Sequence, residues 1–362
     1  MSKIKVCHFS SVHGSHEVRI LVRECVSLAR AGYDVYYVVK GESREENGVH
    51  IIGVGEPPKG KIRRMMNFTK KVYEKALSLD CDIYHFHDPE LLPFGIKLKR
   101  LGKKVIFDSH EAIPIQIMSK EYIPYLIRGL VANLYKFYES YAVKRLDGVV
   151  AADPYITGKF RDRAKRVVNV NNFPSLEDVI YSPRNFSQRE DLLFYVGSVN
   201  DVRGEKIMVE AMKEVKGSLV IAGKKWEKEL DYVPDNVSYF GEANRKQVNE
   251  FFSKAVAGLC LMKPIKNYYN SQPTKIYEYM AGGLPVICSN FPACIEAVEK
   301  TGSGFCVDPF DVEAVRKAMR TLLENHELAQ EMGTRGRKTV EAKYSWEPEA
   351  EKLIKFYQEI LQ

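Results

Sequence analysis

No stretch of this chain approaches the ~20 consecutive apolar residues that a membrane-crossing helix needs. No CxxC pair occurs among the seven cysteines, Cys7, Cys25, Cys81, Cys260, Cys288, Cys294 and Cys306. Their odd number and mostly apolar surroundings point to buried free thiols in a reducing compartment, not to a disulfide framework. Internal repeats and low-complexity segments are absent. The loop after the first apolar run, Ser11-Val12-His13-Gly14-Ser15-His16, holds one glycine where a dinucleotide fingerprint needs three, so it does not argue for NAD. Met1 to Val6 leads straight into a strand with no signal-like segment, and the expected location is therefore cytoplasmic.

What is present is a soluble globular composition, 45% hydrophobic and 28% charged, over 362 residues, too long for one comfortable core and suited to two domains. Strand-like runs alternate with helical periodicity throughout. Lys3 to Ser10, Asp34 to Val39, Cys81 to Phe86, a run ending at Phe107-Asp108-Ser109-His110-Glu111, Leu146 to Ala151 and Val167 to Val170 make a first set. Leu192 to Gly197, Leu219 to Ala222, Val237 to Phe240, Val256 to Met262, Pro285 to Ser289 and Gly302 to Val307 make a second. Helices are expected from about Glu17 to Ala31, Lys59 to Leu79, Glu121 to Asp147 and Ser345 to Leu361. A strand–helix alternation of this kind folds as α/β layers with parallel sheets, and such sheets place ligands at the carboxyl ends of their strands.

The stretch Asn270-Ser271-Gln272-Pro273-Thr274-Lys275-Ile276-Tyr277-Glu278-Tyr279-Met280-Ala281-Gly282-Gly283 carries the chemistry. It joins two buried strands through a polar loop and a short helix stopped by two glycines. Ser271 is the expected N-cap, and Pro273 is tolerated in a first turn. Ile276 and Met280 share the core side, and Thr274 and Glu278 the opposite one. A helix N-terminus with Lys275 beside it and a carboxylate one turn deeper is an anion site with a hydroxyl acceptor beneath, suited to a diphosphate joined to a ribose. An ordinary loop and helix with an exposed glutamate would give the same pattern. At the end of another strand, His85 and His87 share a face beside Asp88; a metal is conceivable there, but the spacing supplies no further ligand set.

The same stretch resembles the E-x7-E region of GT-B glycosyltransferases, most closely retaining glycosyltransferase family 4. The resemblance implies two Rossmann-like doubly wound αβα domains facing a central cleft. An acceptor-side domain would span 1–172, with the helix 345–362 crossing back to it; a linker would span 173–191, and a donor domain 192–344. Glu278 matches the second glutamate, which accepts the donor ribose hydroxyls. Asn270 stands where the first glutamate usually contacts the donor sugar, and Ser271-Gln272-Pro273 replaces Gly-Phe-Gly, as in a subset with the pattern N-S-x-P-T-K-x-x-E-Y-M. After Gly197, Ser198 replaces the usual arginine and Arg203 fills the lysine position on the diphosphate, with Lys275 as the second cation. Gly14 would let the first loop approach the donor. His110 matches the histidine that reaches the donor sugar, and the runs around His87, Asp88, Glu90 and Glu111 match the acceptor side. His110, Asn270 and Lys275 are thus the expected catalytic residues, and Gly14, Gly197, Ser198, Arg203, Ser271, Gln272, Thr274, Lys275 and Glu278 the donor contacts. The resemblance implies no cofactor and no metal, with a UDP-sugar favoured over a GDP-sugar. An inverting transferase, a nucleotide-sugar 2-epimerase and a non-catalytic nucleotide-sugar binder remain alternatives.

Charge is uneven. Residues 1–170 carry 29 Lys+Arg against 19 Asp+Glu, and the remainder 25 against 28. A basic acceptor side implies a glycan or lipid-diphosphate-linked acceptor at an anionic membrane surface, with peripheral attachment through the basic, apolar-interleaved segment Lys59 to Lys75. Nucleic acid would explain the charge but none of the loops, and it is not expected as a partner.

Overall fold

The computed structural model describes residues 3–60, 63–120, 123–181, 186–225, 230 and 232–362, with backbone alone at 266 and 267. They divide into two compact units, Met1–Asn172 with Glu347–Gln362, and Phe173–Trp346.

The first unit is built on β1 (Lys5–Phe9), β2 (Asp34–Val39), β3 (Arg44–Glu46), β4 (Val49–Gly53), β5 (Ile83–Phe86), β6 (Lys104–Ser109), β7 (Gly148–Ala151) and β8 (Val167–Asn169). Their order in the sheet is β3-β4-β2-β1-β5-β6-β7-β8, parallel except for the β3–β4 pair. β3 and β4 lie outside the runs expected from sequence, because Arg44-Glu45-Glu46 is a charged edge with no apolar face. Central parallel strands are covered on both faces and read as continuous apolar runs. Here the central strands break that rule: His8 in β1, His85 in β5 and Asp108 in β6 are all fully buried. The chain runs from β1 outward to β2 and then crosses back to β5, so the switch point lies between β1 and β5.

The second unit carries β9 (Leu192–Val196), β10 (Ser218–Ala222), β11 (Val237–Gly241), β12 (Ala257–Cys260), β13 (Val286–Ser289) and β14 (Gly304–Val307). The order is β11-β10-β9-β12-β13-β14, all parallel, with its switch point between β9 and β12. The segments after β9 and β12 hold every donor-side candidate except Gly14, which lies in the loop after β1 of the first unit.

Four expectations need correction. The stretch 173–191, expected as a linker, belongs to the second unit, where Phe173, Val179 and Phe186 are buried; its residues 182–185 lie outside the described ones. The helix after the first loop runs unbroken over Val18–Arg30 but is not α-helical throughout: a π-type segment, Val18–Cys25, passes directly into an α-helical turn, Val26–Arg30, and the Glu17 carboxylate caps it by accepting from Ile20 N–H. In the basic helical segment Phe68 is 2% exposed and packs with Val72 in the core, so it does not serve a membrane face; Lys61 and Ile62 fall outside the described residues. The fourth concerns Tyr125–Val143, expected as a packing helix; Glu121 and Tyr122 before it are not described. It buries only Ala132, Glu139, Ala142 and Val143, and turns Leu126, Leu130, Leu134 and Phe137 outward at helical spacing. The last helix, Trp346–Leu361, packs Leu353, Phe356, Tyr357 and Ile360 into the first unit. Gly148 makes room for it, since a Cβ there would lie 2.3 Å from the Phe356 ring.

Candidate active site

In the second unit the helix Thr274–Ala281 follows β12 through the short helix Lys266–Tyr269. Its N-cap is Pro273, with no side-chain cap, and not the expected Ser271, whose hydroxyl instead donates to the Tyr268 carbonyl (3.0 Å). The first amides of the helix therefore have no capping side chain. Ile276 and Met280 are fully buried, Thr274 is exposed and Glu278 lies between, which is the facing the spacing implied.

Lys275, expected beside the helix N-terminus, is buried. It is only 7% exposed, and its ammonium lies 4.0 Å from the centre of the Tyr195 ring with no hydrogen-bond partner among the described residues. Burial, with the Arg203 charge adding to it and Cys260 opposing, lowers its pKa to about 8. Gly197, at φ 137°, leaves the space for it: a Cβ there would stand 2.8 Å from Lys275 Nζ. Arg203 stacks over Tyr268 at 5.1 Å and donates to its hydroxyl (3.3 Å). Glu278 is held by Arg245, Nη2 to Oε1 2.8 Å, a partner that no spacing in the sequence announces. The Gln272 side-chain oxygen has no partner among the described residues, Ser198 is partly buried, and Asn270 is exposed at the end of the short helix. Gly197, Ser198, Arg203, Ser271, Gln272, Thr274, Lys275 and Glu278 thus gather at one switch point. Its two cations, Lys275 and Arg203, oppose each other, and Lys275 forms no ion pair among the described residues.

The first unit has a different texture. Asp88 Oδ2 accepts from Ser10 Oγ (2.8 Å), Ser11 N (2.6 Å) and Val12 N (3.2 Å), while Oδ1 faces His13 Nε2 at 3.6 Å. Glu90 accepts from Ser11 Oγ (2.6 Å) and is paired with both terminal nitrogens of Arg64. Glu111 is exposed and accepts from the Gln116 amide. Gly14 is partly exposed, has no left-handed φ, and a Cβ on it would meet only Lys40 at 4.0 Å, so the space above this loop is open. His110 is partly exposed, with Nε2 3.2 Å from Asp108 Oδ2 and its ring 5.0 Å from that of His13. Against burial, which raises it, Arg19 and then His110 hold the Asp108 carboxyl well below the usual carboxylate range; Arg19 binds both its oxygens at 3.1 Å. Burial, only partly opposed by Asp108, lowers His87 to about 4. Arg19, Asp108 and His13 are positioning groups that the motif reading left unassigned. His87 lies behind His110, 2% exposed, and not at the surface expected of an acceptor contact.

A family model described as glycosyl transferases group 1 matches residues 180–339, and one described as glycosyltransferase family 4 matches residues 18–173. Spore coat protein SA of Bacillus subtilis (strain 168) is 23% identical over 189 residues, 46% of this chain and 48% of that protein. The chain spans about half the length of the curated relatives it first matches. Sucrose-phosphate synthase from Thermosynechococcus elongatus superposes with a TM-score of 0.79 at 17% identity, over 99% of each chain. HepE of Anabaena, in complex with UDP, superposes with a TM-score of 0.71 at 13% identity, over 99% of this chain and 100% of that one. The fold is that of the GT-B glycosyltransferases. Each half of the chain is thus matched by a glycosyltransferase model, and the chain resembles glycosyltransferase family 4.

Proposed function

We propose that the protein moves a sugar from a nucleotide-sugar donor to a glycan or lipid-diphosphate-linked acceptor of the cell envelope. Transfer retains anomeric configuration and uses side-chain cations, not a metal ion, at the diphosphate. The observation that carries this reading is Lys275, a buried ammonium without an ion pair among the described residues, at the uncapped start of Thr274–Ala281. A buried unpaired charge is costly, and a donor diphosphate would supply the missing anion. Arg203 is the second cation, and Glu278, held by Arg245, accepts the ribose hydroxyls. As the donor bond breaks, Lys275, Arg203 and the helix amides stabilise the charge growing on the departing diphosphate.

Retention is supported by how the acceptor-side carboxylates are occupied. Of the three carboxylates that could serve an inverting reaction as general base, Asp88 holds the loop at 10–12 and Glu90 holds Arg64, which leaves that role only to Glu111, exposed and accepting from the Gln116 amide. The acceptor proton then passes to the diphosphate oxygen as that oxygen leaves. His110 takes the sugar contact that the resemblance gives it, with Asp108 fixing its Nε2. The UDP of the HepE structure supports a uridine donor. No described helix is long and apolar enough to cross a membrane. The outward stripe Leu126, Leu130, Leu134 and Phe137, with Lys136 in the same helix and Lys144 and Arg145 just past its C-terminal end, supports peripheral attachment at the cytoplasmic face of an anionic membrane.

Calorimetric titration with UDP, GDP and their sugars tests the donor. UDP should bind more tightly than GDP, and equal or absent binding of both overturns the donor assignment. The anomeric coupling in the proton spectrum of the isolated product tests retention.

A further inference from the structure

The buried histidines of the first unit form a second constellation, separate from the diphosphate cations. His8 on β1, His85 on β5, His87 just after β5, and Glu24 on the segment Val18–Cys25 each bring one ligand atom within 4.8 Å of those of the other three. All four are at most 2% exposed. Each imidazole has one nitrogen occupied on its outer side. His8 Nε2 and His85 Nδ1 are both bound to the Tyr357 hydroxyl, at 3.0 and 2.7 Å, and His87 Nδ1 faces Asp108 Oδ2 at 3.3 Å. Glu24 Oε1 lies 3.1 Å from Arg19 Nε. What remains on the inner side is His8 Nδ1, His87 Nε2, His85 Nε2 and Glu24 Oε2.

Protein groups alone do not satisfy this inner set. His8 Nδ1 and His87 Nε2 are bonded to each other at 2.9 Å, but His85 Nε2 and Glu24 Oε2 have no hydrogen-bond partner among the described residues. Two buried carboxylates, Glu24 and Asp108, share the single guanidinium of Arg19. We propose that His8, His85, His87 and Glu24 bind one divalent transition-metal ion, zinc by ligand class, in a closed four-coordinate structural site. Three imidazoles and a carboxylate suit zinc, and bonds of about 2.0–2.1 Å place ligand atoms about 3.3 Å apart in a tetrahedron. A separation of 2.9 Å for one pair and an upper bound of 4.8 Å for the set require only rotamer-scale adjustment to reach it. The outer partners are those a metal site needs: a tyrosine hydroxyl and an aspartate fix the ring orientations, and an arginine holds the second carboxylate oxygen. The ion would tie the segment Val18–Cys25 to β1 and β5. That segment carries Arg19, which sets Asp108 beneath His110. The role is structural and holds whatever sugar or acceptor the enzyme uses.

The test is metal content of the full chain, expressed with zinc supplied and then dialysed against metal-free buffer. We expect about one zinc per chain, a zinc-edge absorption spectrum with imidazole scattering from three histidines, and a four-coordinate cobalt spectrum after exchange. His85→Gln and Glu24→Gln should each weaken binding by ~10-fold or more at unchanged far-ultraviolet circular dichroism, while His50→Gln, at a histidine on β4 remote from the set, keeps the metal. Wild-type protein with neither zinc nor a four-coordinate cobalt spectrum overturns the proposal. A thiolate-dominated zinc shell, which would place any ion on the cysteines, overturns it as well, as does full metal content in both ligand variants. The wild-type spectra decide the matter if the variants fail to fold.

Discussion

The two switch points of this molecule use charge in opposite ways. Between β1 and β5 the carboxylates at the loop ends are answered by other groups of the same unit, while His85 and Glu24 behind them are not: Asp88 by a hydroxyl and two amides, Glu90 by Arg64, Asp108 by Arg19 and two imidazoles. Between β9 and β12 the buried Lys275 ammonium has no hydrogen-bond partner among the described residues and lies against an aromatic face. The first arrangement is a preorganised scaffold that costs little to maintain. The second stores an unfavourable energy that a bound anion relieves. A group already satisfied by its own protein positions others, whereas a buried group left unsatisfied marks where a ligand goes.

Lys275 offers the largest break in that comparison. Lys275→Met should lower kcat by roughly 100- to 1,000-fold, the scale seen when one donor to a developing oxyanion is removed. Because the ammonium is buried without an ion pair among the described residues, the same variant should leave the ligand-free protein as stable or more stable in urea at pH 7. A large loss of stability would show that Lys275 is a structural residue. The reverse applies in the first unit. Asp88→Ala leaves two backbone amides and a hydroxyl without their acceptor, and should cost roughly 3 kcal/mol of stability in urea unfolding, at about 1–3 kcal/mol per unsatisfied group with partial relaxation. Its effect on donor affinity should be negligible, and a parallel loss of UDP binding would erase the distinction drawn here.

Glu278→Ala should weaken UDP binding by ~1.5–3 kcal/mol, read by calorimetry, with the fold retained. Unchanged affinity would remove Glu278 from the ribose site. The pH dependence sharpens the contrast at intermediate size. Lys275 is lowered from its usual 10.5 to about 8 by burial, with the neighbouring Arg203 adding to this and Cys260 and Glu278 opposing it. Its charge is therefore present below about pH 8 and lost above, so diphosphate affinity should fall as pH rises through about 8. Between that value and 10.5 the unfolded chain holds the proton that the folded one has shed, so ligand-free stability should rise over the same window, by an amount on the order of 1–3 kcal/mol. Lys275→Met should flatten both trends.

The smallest effects belong to the surface. Binding to vesicles should require anionic lipid and weaken with salt, and Lys70→Gln, Lys71→Gln and Lys75→Gln should each cost up to ~1 kcal/mol of partitioning. Leu126→Glu should reduce vesicle binding while leaving UDP affinity unchanged. Wild-type protein that ignores anionic vesicles at low salt would make a soluble acceptor the better reading.

Local chemistry alone determined the α/β alternation and most strands, because buried parallel strands are short apolar runs with little room for another reading. It also determined which face of Thr274–Ala281 is core and which carries Glu278, since a 3.6-residue period allows one answer. The edge strand β3 escaped it, having no apolar signature, and so did its neighbour β4, a five-residue run whose Val49 and Ile51 are buried. Tertiary structure decided the rest. It turned Leu126, Leu130, Leu134 and Phe137 outward on a helix whose apolar stripe reads in sequence as a packing face. Arg245 reached Glu278 from a helix 33 residues earlier, and Arg19 reached Asp108 across 89 residues. His8, Glu24, His85 and His87 came together from three elements at no fixed spacing. Such partnerships depend on the order of strands in the sheet and on which side chains share a face. Those are long-range properties, and no window of sequence contains them.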